Sequence, residues 1–373
     1  MLKVAKFGGT SVADSLQIEK IKSIVEADGD RRYIVVSAPG KRFEKDSKVT
    51  DLFYLFKNNL DANLPSDQIW GIIRDRFIAE EIALGNSGII GKELDIIKQK
   101  IEDGETTDYI VSRGEYLNAV LIAKYLGFDF VDAKDLIVLS DSGRPDIKAS
   151  IENLKKELKS HERAVIPGFY GTDKNGKIKT FSRGGSDITG ALVAAAVDAD
   201  IYENWTDVSG FLMADPRIIE NPKKISKITY KELRELSYMG AKVLHEEAIF
   251  PAKQANIPIN IRNTNDPADG GTLITSDVDD TKEEYIIKGI AGSKDFTDIT
   301  IYKEGLSTER GFVRKLAEIM EDFDITLEHI PNGIDTISAV LKNELVDGRL
   351  DEILERIQSV LSPDQIEADE DLA

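Results

Sequence analysis

Short apolar runs alternate along this 373-residue sequence with longer segments in which apolar residues recur every three or four positions. The first run, residues 2–7, leads into a segment with Val12, Leu16 and Ile21 on one helix face. Such alternation predicts an open, mostly parallel α/β sheet with helices on both faces. We expect further strands at residues 33–36, 128–131, 164–167, 201–203 and 258–261, and helices between residues 50 and 103 and after residue 112.

A second, smaller pattern follows residue 277. Residues 277–284 are charged and sparsely apolar, which is typical of a linker, and the order beyond them predicts a compact α+β module. The last segment, 362–373, has five acids and no base, which predicts an unpaired chain end. The predicted strands of this module are residues 285–291, 298–302, 325–330 and 336–341, and its helices are residues 309–323 and 348–361.

Composition narrows the classes of function. Hydrophobic residues make up 41% of the chain. Because no apolar stretch reaches about 18 residues, we expect neither a membrane span nor a signal peptide. The absence of cysteine excludes disulfides, thiolate metal sites and cysteine nucleophiles, and fits a cytoplasmic location. The net charge of −19 opposes binding to nucleic acid or to anionic membranes, so local donors must hold any anionic ligand.

The histidines point to no known catalytic or metal-binding arrangement. His161, His245 and His329 lie far apart and lack the spacing of zinc ligands, and no GxSxG nucleophile turn accompanies them. Structural or surface roles are therefore the favoured interpretation for all three.

The segment Lys6-Phe7-Gly8-Gly9-Thr10-Ser11 lies where the first predicted strand becomes a helix. Glycine lets the backbone approach an anion closely, and a helix N-terminus presents unpaired N–H groups. The hydroxyls of Thr10 and Ser11 add donors and a helix cap. A phosphate site is one interpretation, and an ordinary strand, turn and helix with a surface lysine is the other.

A second glycine turn, Arg183-Gly184-Gly185-Ser186-Asp187, also leads into a predicted helix. Arg183 can hold a carboxylate or phosphate through two parallel hydrogen bonds, and Asp187 can position lysines or a metal ion. The alternative is a turn capped by Ser186, in which Asp187 only complements the helix dipole.

Two more polar segments complete the candidate chemistry. Residues 205–211 follow the strand near residue 201 and continue to Ala214-Asp215-Pro216-Arg217, an order that suits nucleotide contacts or a plain surface loop. Lys242 lies at the start of a predicted helix. Taken alone, it is most simply interpreted as a solvated surface lysine. The chain has neither a Walker A sequence nor a GxGxxG turn, which removes the main support for P-loop kinases and Rossmann dehydrogenases.

These four motifs in this order resemble the aspartate kinases of the amino-acid kinase superfamily. The matching segments are KFGGTSV at 6–12, RGGSD at 183–187, TDV-G and ADPR within 206–217, and GAKVLH at 240–245. The resemblance extends from residue 2 to about residue 362. It implies the amino-acid kinase fold, a three-layer α/β/α open and mostly parallel sheet, in residues 1–282, and an α+β, ferredoxin-like ACT regulatory region in residues 283–373.

The resemblance also implies a reaction. The γ-phosphoryl group of MgATP would pass to the side-chain carboxylate of L-aspartate, giving 4-phospho-L-aspartate and ADP, the first step of lysine, threonine and methionine biosynthesis. Lys6 and Lys242 would stabilise the moving phosphoryl group, and Asp187 would hold these lysines in place; no protein ligand of the metal is implied.

The resemblance further implies the residues that bind the two substrates. Glu115 would hold the α-ammonium group of aspartate and Arg183 its α-carboxylate, with Ser37 and Thr50 as further contacts. Leu212 stands where other members place a tyrosine. The residues implied for ATP are Lys6, Gly8, Gly9, Thr10, Ser11, Thr206, Asp207, Leu212, Arg217, Lys242 and Val243.

In the C-terminal region the resemblance covers one complete ACT unit. Residues 296–362 match this first unit, and a second unit is incomplete, because the sequence ends where its next strand is expected; the strand at 285–291 would then lack its partners. Lysine or threonine is the implied effector, with Glu328 and Asn332 as candidate contacts. ACT strands would join two chains in a homodimer.

Two other functions stay open on the sequence. An amino-acid kinase acting on acetylglutamate or glutamate would share these motifs. A non-catalytic amino-acid sensor would keep the ACT region without phosphoryl transfer, although the presence of Lys6, Arg183, Asp187 and Lys242 argues against it.

Overall fold

A computed structural model of the chain describes residues 1–182, 184–238, 246–277 and 287–373. The chain divides into two compact units, Met1–Ala291 and Gly292–Ala373. The expected domain boundary after residue 282, and most of the predicted linker, lie outside the described residues.

The first unit is an α/β structure. Its described strands are β1 (Lys3–Phe7), β2 (Arg31–Val36), β3 (Asp129–Phe130), β4 (Ala164–Pro167), β5 (Tyr170–Thr172), β6 (Ile178–Thr180), β7 (Ile201–Thr206), β8 (Phe211–Leu212), β9 (Lys224–Ile225), β10 (Lys227–Thr229), β11 (Ile259–Asn263) and β12 (Thr272–Thr275). Its described helices are α1 (Ser15–Glu26), α2 (Val49–Asp61), α3 (Asp67–Ala83), α4 (Ile89–Glu102), α5 (Thr107–Leu126), α6 (Ile147–Leu158), α7 (Gly185–Ala196), α8 (Tyr230–Tyr238) and α9 (Glu246–Gln254).

Eight of these strands form one sheet in the order β10-β12-β11-β7-β1-β2-β4-β3. All neighbouring strands in it are parallel except β11 and β12, which are antiparallel. The open, mostly parallel sheet predicted from the sequence is therefore confirmed.

Helices cover both faces of this sheet. Side chains alternate along a strand, so Val4 of β1 packs into the core that contains Leu192 of α7, whereas Phe7 packs into the core that contains Ile18 of α1. The ring of Phe7 stacks on Trp205 of β7 at a centroid distance of 5.9 Å. The predicted three-layer α/β/α arrangement is thus confirmed, and it buries β1 at its centre.

The helical pattern between residues 50 and 103 forms three helices, α2, α3 and α4. The next helix, α5, is capped by the Thr106 side chain, which accepts a hydrogen bond of 3.2 Å from the Tyr109 N–H. At its other end Gly127 adopts φ +70°, a left-handed conformation that glycine reaches without strain. None of the described helices is both long and apolar enough to cross a membrane.

The second unit contains an antiparallel sheet in the order β14-β13-β15 with helices packed against it. Its strands and helices, as far as the structure describes the chain, are β13 (Phe296–Tyr302), β14 (Thr336–Lys342), β15 (Gln365–Leu372), α10 (Phe312–Asp322), α11 (Asn343–Val346) and α12 (Leu350–Leu361).

Two predictions for this unit are wrong. The expected strand at 325–330 does not form; only His329 makes an isolated bridge, to Val340, and Pro331, which has no N–H, follows soon after. The expected unpaired end is instead β15, which pairs with β13. Its acids face outward while Ile366 and Ala368 pack against the core, so an alternating pattern was concealed by the high charge.

The predicted strand at 285–291 is also not found where the structure describes it. Residues 287–291 have no regular secondary structure and belong to the first unit. The Ile290 N–H donates a hydrogen bond of 2.7 Å to the Met213 carbonyl, and Gly289 lies against Leu236. This segment therefore contacts the β8 region of the first unit.

Candidate active site

A cavity of about 490 Å³ opens at the carboxyl ends of β1, β2 and β7. Parallel pairing aligns these ends, because Phe7 lies opposite both Val36 and Trp205. The cavity is lined by Lys6, Gly8, Gly9, Thr10, Ser37, Ala38, Pro39, Gly40, Lys41, Lys48, Thr50, Glu115, Asp187, Asn204, Thr206, Asp207 and Ile261.

The glycine turn after β1 forms one wall. The Gly8 N–H donates to the Trp205 carbonyl at 3.0 Å, and the Gly9 carbonyl accepts from the Gly40 N–H at 2.8 Å. A Cβ atom on Gly9 would lie 3.3 Å from the Ala38 carbonyl oxygen, so a larger residue would push the two loops apart. Gly8, Gly9 and Thr10 thereby line the cavity with backbone, as expected for a phosphate-binding turn.

Lys6 is the central charged group of the site. It is 7% exposed, and its Nζ lies 2.6 Å from Asp187 Oδ1 and 3.4 Å from Asn204 Oδ1. Asn204 Nδ2 in turn donates to Asp187 Oδ1 at 2.9 Å. Asp187 is in the first turn of α7 and Asn204 is on β7, so three elements fix the ammonium group at the cavity wall.

Glu115 presents a buried carboxyl group to the same cavity. It is 4% exposed on α5, and its Oε2 has no hydrogen-bond partner in the described part of the chain. Burial raises the pKa of Glu115 to about 8, because backbone N–H groups and the nearby Arg113 offset the loss of hydration only in part. Such a group is suited to receive a cation from a ligand.

The remaining predicted contacts with aspartate lie on this side of the cavity. Ser37 follows β2, and its N–H donates to the Phe7 carbonyl at 3.2 Å. Thr50 is in the first turn of α2, whose Val49 N–H donates to the Pro39 carbonyl at 3.1 Å. The structure therefore brings Ser37, Thr50 and Glu115 together beside Lys6.

Three predicted nucleotide contacts are placed outside the cavity. Ser11 is buried; its hydroxyl pairs with that of Thr264 at 2.7 Å and its N–H with the Gly8 carbonyl at 3.0 Å, so both are engaged within the protein. Leu212 is exposed on β8. Arg217 is exposed and forms an ion pair of 2.6 Å with Asp215. By contrast, Thr206 and Asp207 line the cavity at the end of β7.

Arg183, Lys242 and Val243, which the sequence also assigned to substrate or nucleotide, lie outside the described residues. The two candidate effector contacts belong to the second unit. Glu328 is 3.6 Å from Lys342 Nζ, and Asn332 makes a bridge with Ile337.

Sequence reasoning missed several residues of the site. Asn204 is a buried polar residue inside an otherwise closely packed strand, a signal that was available in the sequence. Lys41 and Lys48 flank a polar loop whose conformation no periodic pattern indicates.

No group of three acidic or histidine side chains suited to a metal ion occurs among the described residues. The cavity nevertheless contains two aspartates, Asp187 and Asp207. Magnesium in phosphoryl-transfer sites is commonly held by one or two carboxylates together with substrate phosphates, so this donor set fits that ion when nucleotide is bound.

Comparisons with known proteins identify the family of the chain. Residues 1–263 match the model of the amino acid kinase family. Aspartokinase 3 of Bacillus subtilis is 38% identical over 388 residues, covering 100% of this chain and 85% of the relative. The crystal structure of an aspartate kinase from Clostridium acetobutylicum, described as an allosteric enzyme, is 51% identical with a TM-score of 0.90, over 99% of this chain and 84% of that one.

A third relative has been solved with ligands. Aspartokinase III of Escherichia coli in complex with aspartate and ADP is 26% identical with a TM-score of 0.72, over 99% of this chain and 86% of that one. Its complex with lysine and aspartate has a TM-score of 0.69 at the same identity, over 99% and 85%. The chain therefore belongs to the amino acid kinase family and, within it, to the aspartokinases.

Proposed function

We propose that the cavity binds MgATP and L-aspartate and transfers the γ-phosphoryl group to the side-chain carboxylate, giving 4-phospho-L-aspartate and ADP. The observation that carries this proposal is one cavity with two complementary groups. The buried Lys6 ammonium lies beside a glycine turn suited to phosphate, and the buried Glu115 carboxyl is suited to the ammonium group of an amino acid.

The acceptor chemistry fits the residues present. A side-chain carboxylate has a reference pKa of about 4 and is already ionised at neutral pH, so the reaction needs no general base. Catalysis then consists of in-line positioning and neutralisation of the charge on the moving group. Lys6, fixed by Asp187 and Asn204, supplies one such charge, and Lys242 is proposed to supply a second.

Aspartate is recognised by opposite charges. Glu115 takes the α-ammonium group, Arg183 takes the α-carboxylate, and the Ser37 and Thr50 hydroxyls complete the contacts. One fixed anion and one bidentate cation allow an acidic protein to select an acidic amino acid.

The nucleotide occupies the opposite wall. Its phosphates lie on the backbone of Gly8, Gly9 and Thr10, and its remaining contacts come from the end of β7 and the segments that follow. Asp187 and Asp207 would hold the magnesium ion, which supplies charge neutralisation at the phosphate oxygens. The further nucleotide contacts in this proposal are Thr206, Leu212, Arg217, Lys242 and Val243. Ser11, whose hydroxyl and N–H are engaged within the protein, supports the glycine turn instead.

We also propose a regulatory role for the C-terminal region. In this proposal residues 1–282 are the catalytic domain and residues 283–373 the ACT region, of which residues 287–291 pack with the first unit. Lysine is the effector, with Glu328 and Asn332 among its contacts. The lysine complex of the Escherichia coli relative supports this choice. Pairing of two chains through ACT strands, and a place at the start of lysine, threonine and methionine biosynthesis, belong to the same proposal.

A coupled assay of ADP release tests the activity. The purified chain is given MgATP and, in separate reactions, L-aspartate, L-glutamate or N-acetyl-L-glutamate, and hydroxylamine traps the acyl phosphate. Turnover of aspartate alone is expected. Turnover of glutamate or acetylglutamate without aspartate would contradict the proposal, and lysine titration in the same assay tests the effector.

A further inference from the structure

The loop between β2 and α2 contributes Gly40, Lys41 and Lys48 to the cavity wall, and none of these residues has a role in the proposed reaction. The loop lies directly on the glycine turn. A Cβ atom on Gly40 would be 2.7 Å from the Gly9 carbonyl carbon, closer than real contacts allow. Loop and turn are therefore in direct backbone contact.

Arg76 of α3 ties these two segments together. It is 5% exposed, and its guanidinium group donates to three backbone carbonyls. Nη2 donates to Ala13 at 3.0 Å and to Gly40 at 2.5 Å, and Nη1 donates to Ser47 at 2.9 Å. One side chain thus joins the end of the glycine turn to both ends of the loop, which only the planar fork of arginine can do.

The acids around Arg76 do not explain this arrangement. Glu80 Oε1 lies 3.5 Å from Arg76 Nε, and neither Glu80 oxygen has a hydrogen-bond partner in the described chain. Asp46 lies 3.4 Å from Nη1 but makes its closer contact, 2.8 Å, with Arg42. The well-formed hydrogen bonds of Arg76 go to the backbone of the two cavity segments rather than to a carboxylate.

We propose that Arg76 is a positioning residue for phosphoryl transfer, which holds the 40–48 loop on the glycine turn so that Lys41 and Lys48 face the anionic substrates. Arg76 does not line the cavity and so acts through the loop. The inference rests on the proposed function. A loop backbone that is held in place before binding needs no reordering when the substrates arrive, which favours both affinity and rate.

The test replaces Arg76 by lysine, which keeps the charge near Glu80 but cannot reach three carbonyls. Arg74→Lys is the matched control, because Arg74 is on the same helix, is partly exposed and pairs with Asp95. We expect Arg76→Lys to lower kcat/KM for aspartate by about tenfold or more, since a small misplacement of binding groups is costly in rate. Hydrogen exchange of residues 40–48 should also become faster, and the control should match the wild type in both measurements.

Gly40→Ala is a second variant, which pushes the 40–48 loop away from the glycine turn without altering Arg76. It tests the same proposal if Arg76→Lys does not fold. We expect the same loss of kcat/KM. The proposal is overturned if either folded variant keeps wild-type kcat/KM, if Arg74→Lys falls equally, or if exchange of the loop is unchanged in Arg76→Lys. Absence of aspartate turnover in the wild type contradicts the proposed function instead, and hydrogen exchange still tests the contact of Arg76.

Discussion

At the scale of single residues, the site depends on two buried ionisable groups in different states. Lys6 has its counterion at 2.6 Å, whereas Glu115 has no ion-pair partner among the described residues. Lys6 is thus prepared for catalysis before the ligand binds, and Glu115 is completed by the ligand. Buried carboxyl groups without a partner hold their proton to higher pH.

Aspartate binding should therefore depend on pH. Because the pKa of Glu115 is about 8, its carboxyl group is protonated in the free protein at lower pH, and binding of the α-ammonium group requires loss of this proton. KM for aspartate is expected to fall as pH rises from 6 towards 8, by at most about tenfold per pH unit. Initial rates at fixed MgATP measure this, and Glu115→Gln should remove the dependence; an identical slope in that variant would rule Glu115 out.

Whereas aspartate binding should improve as pH rises, the stability of the folded chain should fall because of Glu115. The unfolded chain loses the Glu115 proton near its usual pKa, whereas the folded chain keeps it up to about pH 8, so this residue costs stability as pH rises between these values. At neutral pH we expect Glu115→Gln to be more stable by about 3 kcal/mol. Urea unfolding at pH 5 and pH 8 provides the comparison, and a gain that is larger at pH 5 would contradict burial of the charged carboxylate as the cause.

Replacement of Lys6 should remove activity without removing the fold. Lys6→Met takes away the charge beside the phosphoryl path but keeps the buried stem, and we expect kcat to fall about a thousandfold. Lys3→Met is the control, since Lys3 is on the same strand and pairs with Asp28 at 2.6 Å, outside the cavity. A kcat for Lys6→Met within about threefold of the control would remove Lys6 from the mechanism.

At the scale of elements, the sequence predicts best what lies at the ends of buried strands. Lys6, Ser37 and Thr206 follow or end apolar runs, and parallel strands bring such ends to one edge of a sheet, so their meeting in one cavity was predictable. The contacts of Asn204 and Arg76 could not be predicted in this way. Each of these side chains contacts residues distant in sequence, and such contacts leave no periodic pattern in the sequence.

The C-terminal strand β15 was not predicted from the sequence for a different reason. Its acids concealed an alternating pattern in which Ile366 and Ala368 pack against the core. We expect Ile366→Ala to destabilise the second unit by about 1–2 kcal/mol, less than for a fully buried isoleucine. Hydrogen exchange of β13 measures the change, and Glu370→Ala, at an exposed position of β15, should have little effect. Equal protection of β13 in both variants would show that β15 adds no stability.

At the scale of the whole molecule, the two units have separate hydrophobic cores. A ligand stabilises only the cooperative unit to which it binds. Calorimetry should therefore resolve more than one thermal transition, and ADP with aspartate should raise the one that belongs to Met1–Ala291. The transitions are assigned by repeating the scan with Ile366→Ala, which should lower the transition temperature of the second unit. If both transition temperatures shifted by the same amount in each experiment, independent unfolding of the two units would be contradicted.

The acidic outer strand of the second unit also limits how copies of the chain can assemble. Among the described residues β15 is paired on one side only, so its other edge is open to a further strand. Asp369, Glu370 and Asp371 are consecutive exposed residues of β15, and a second copy paired in the antiparallel sense would bring like charges close together. Such charges protect an open edge against aggregation. At the other edge of the sheet, His329 and Asn332 already bridge to β14. In the described part of the chain β15 is therefore the solvated border of the sheet, and its charges disfavour pairing with a second copy there.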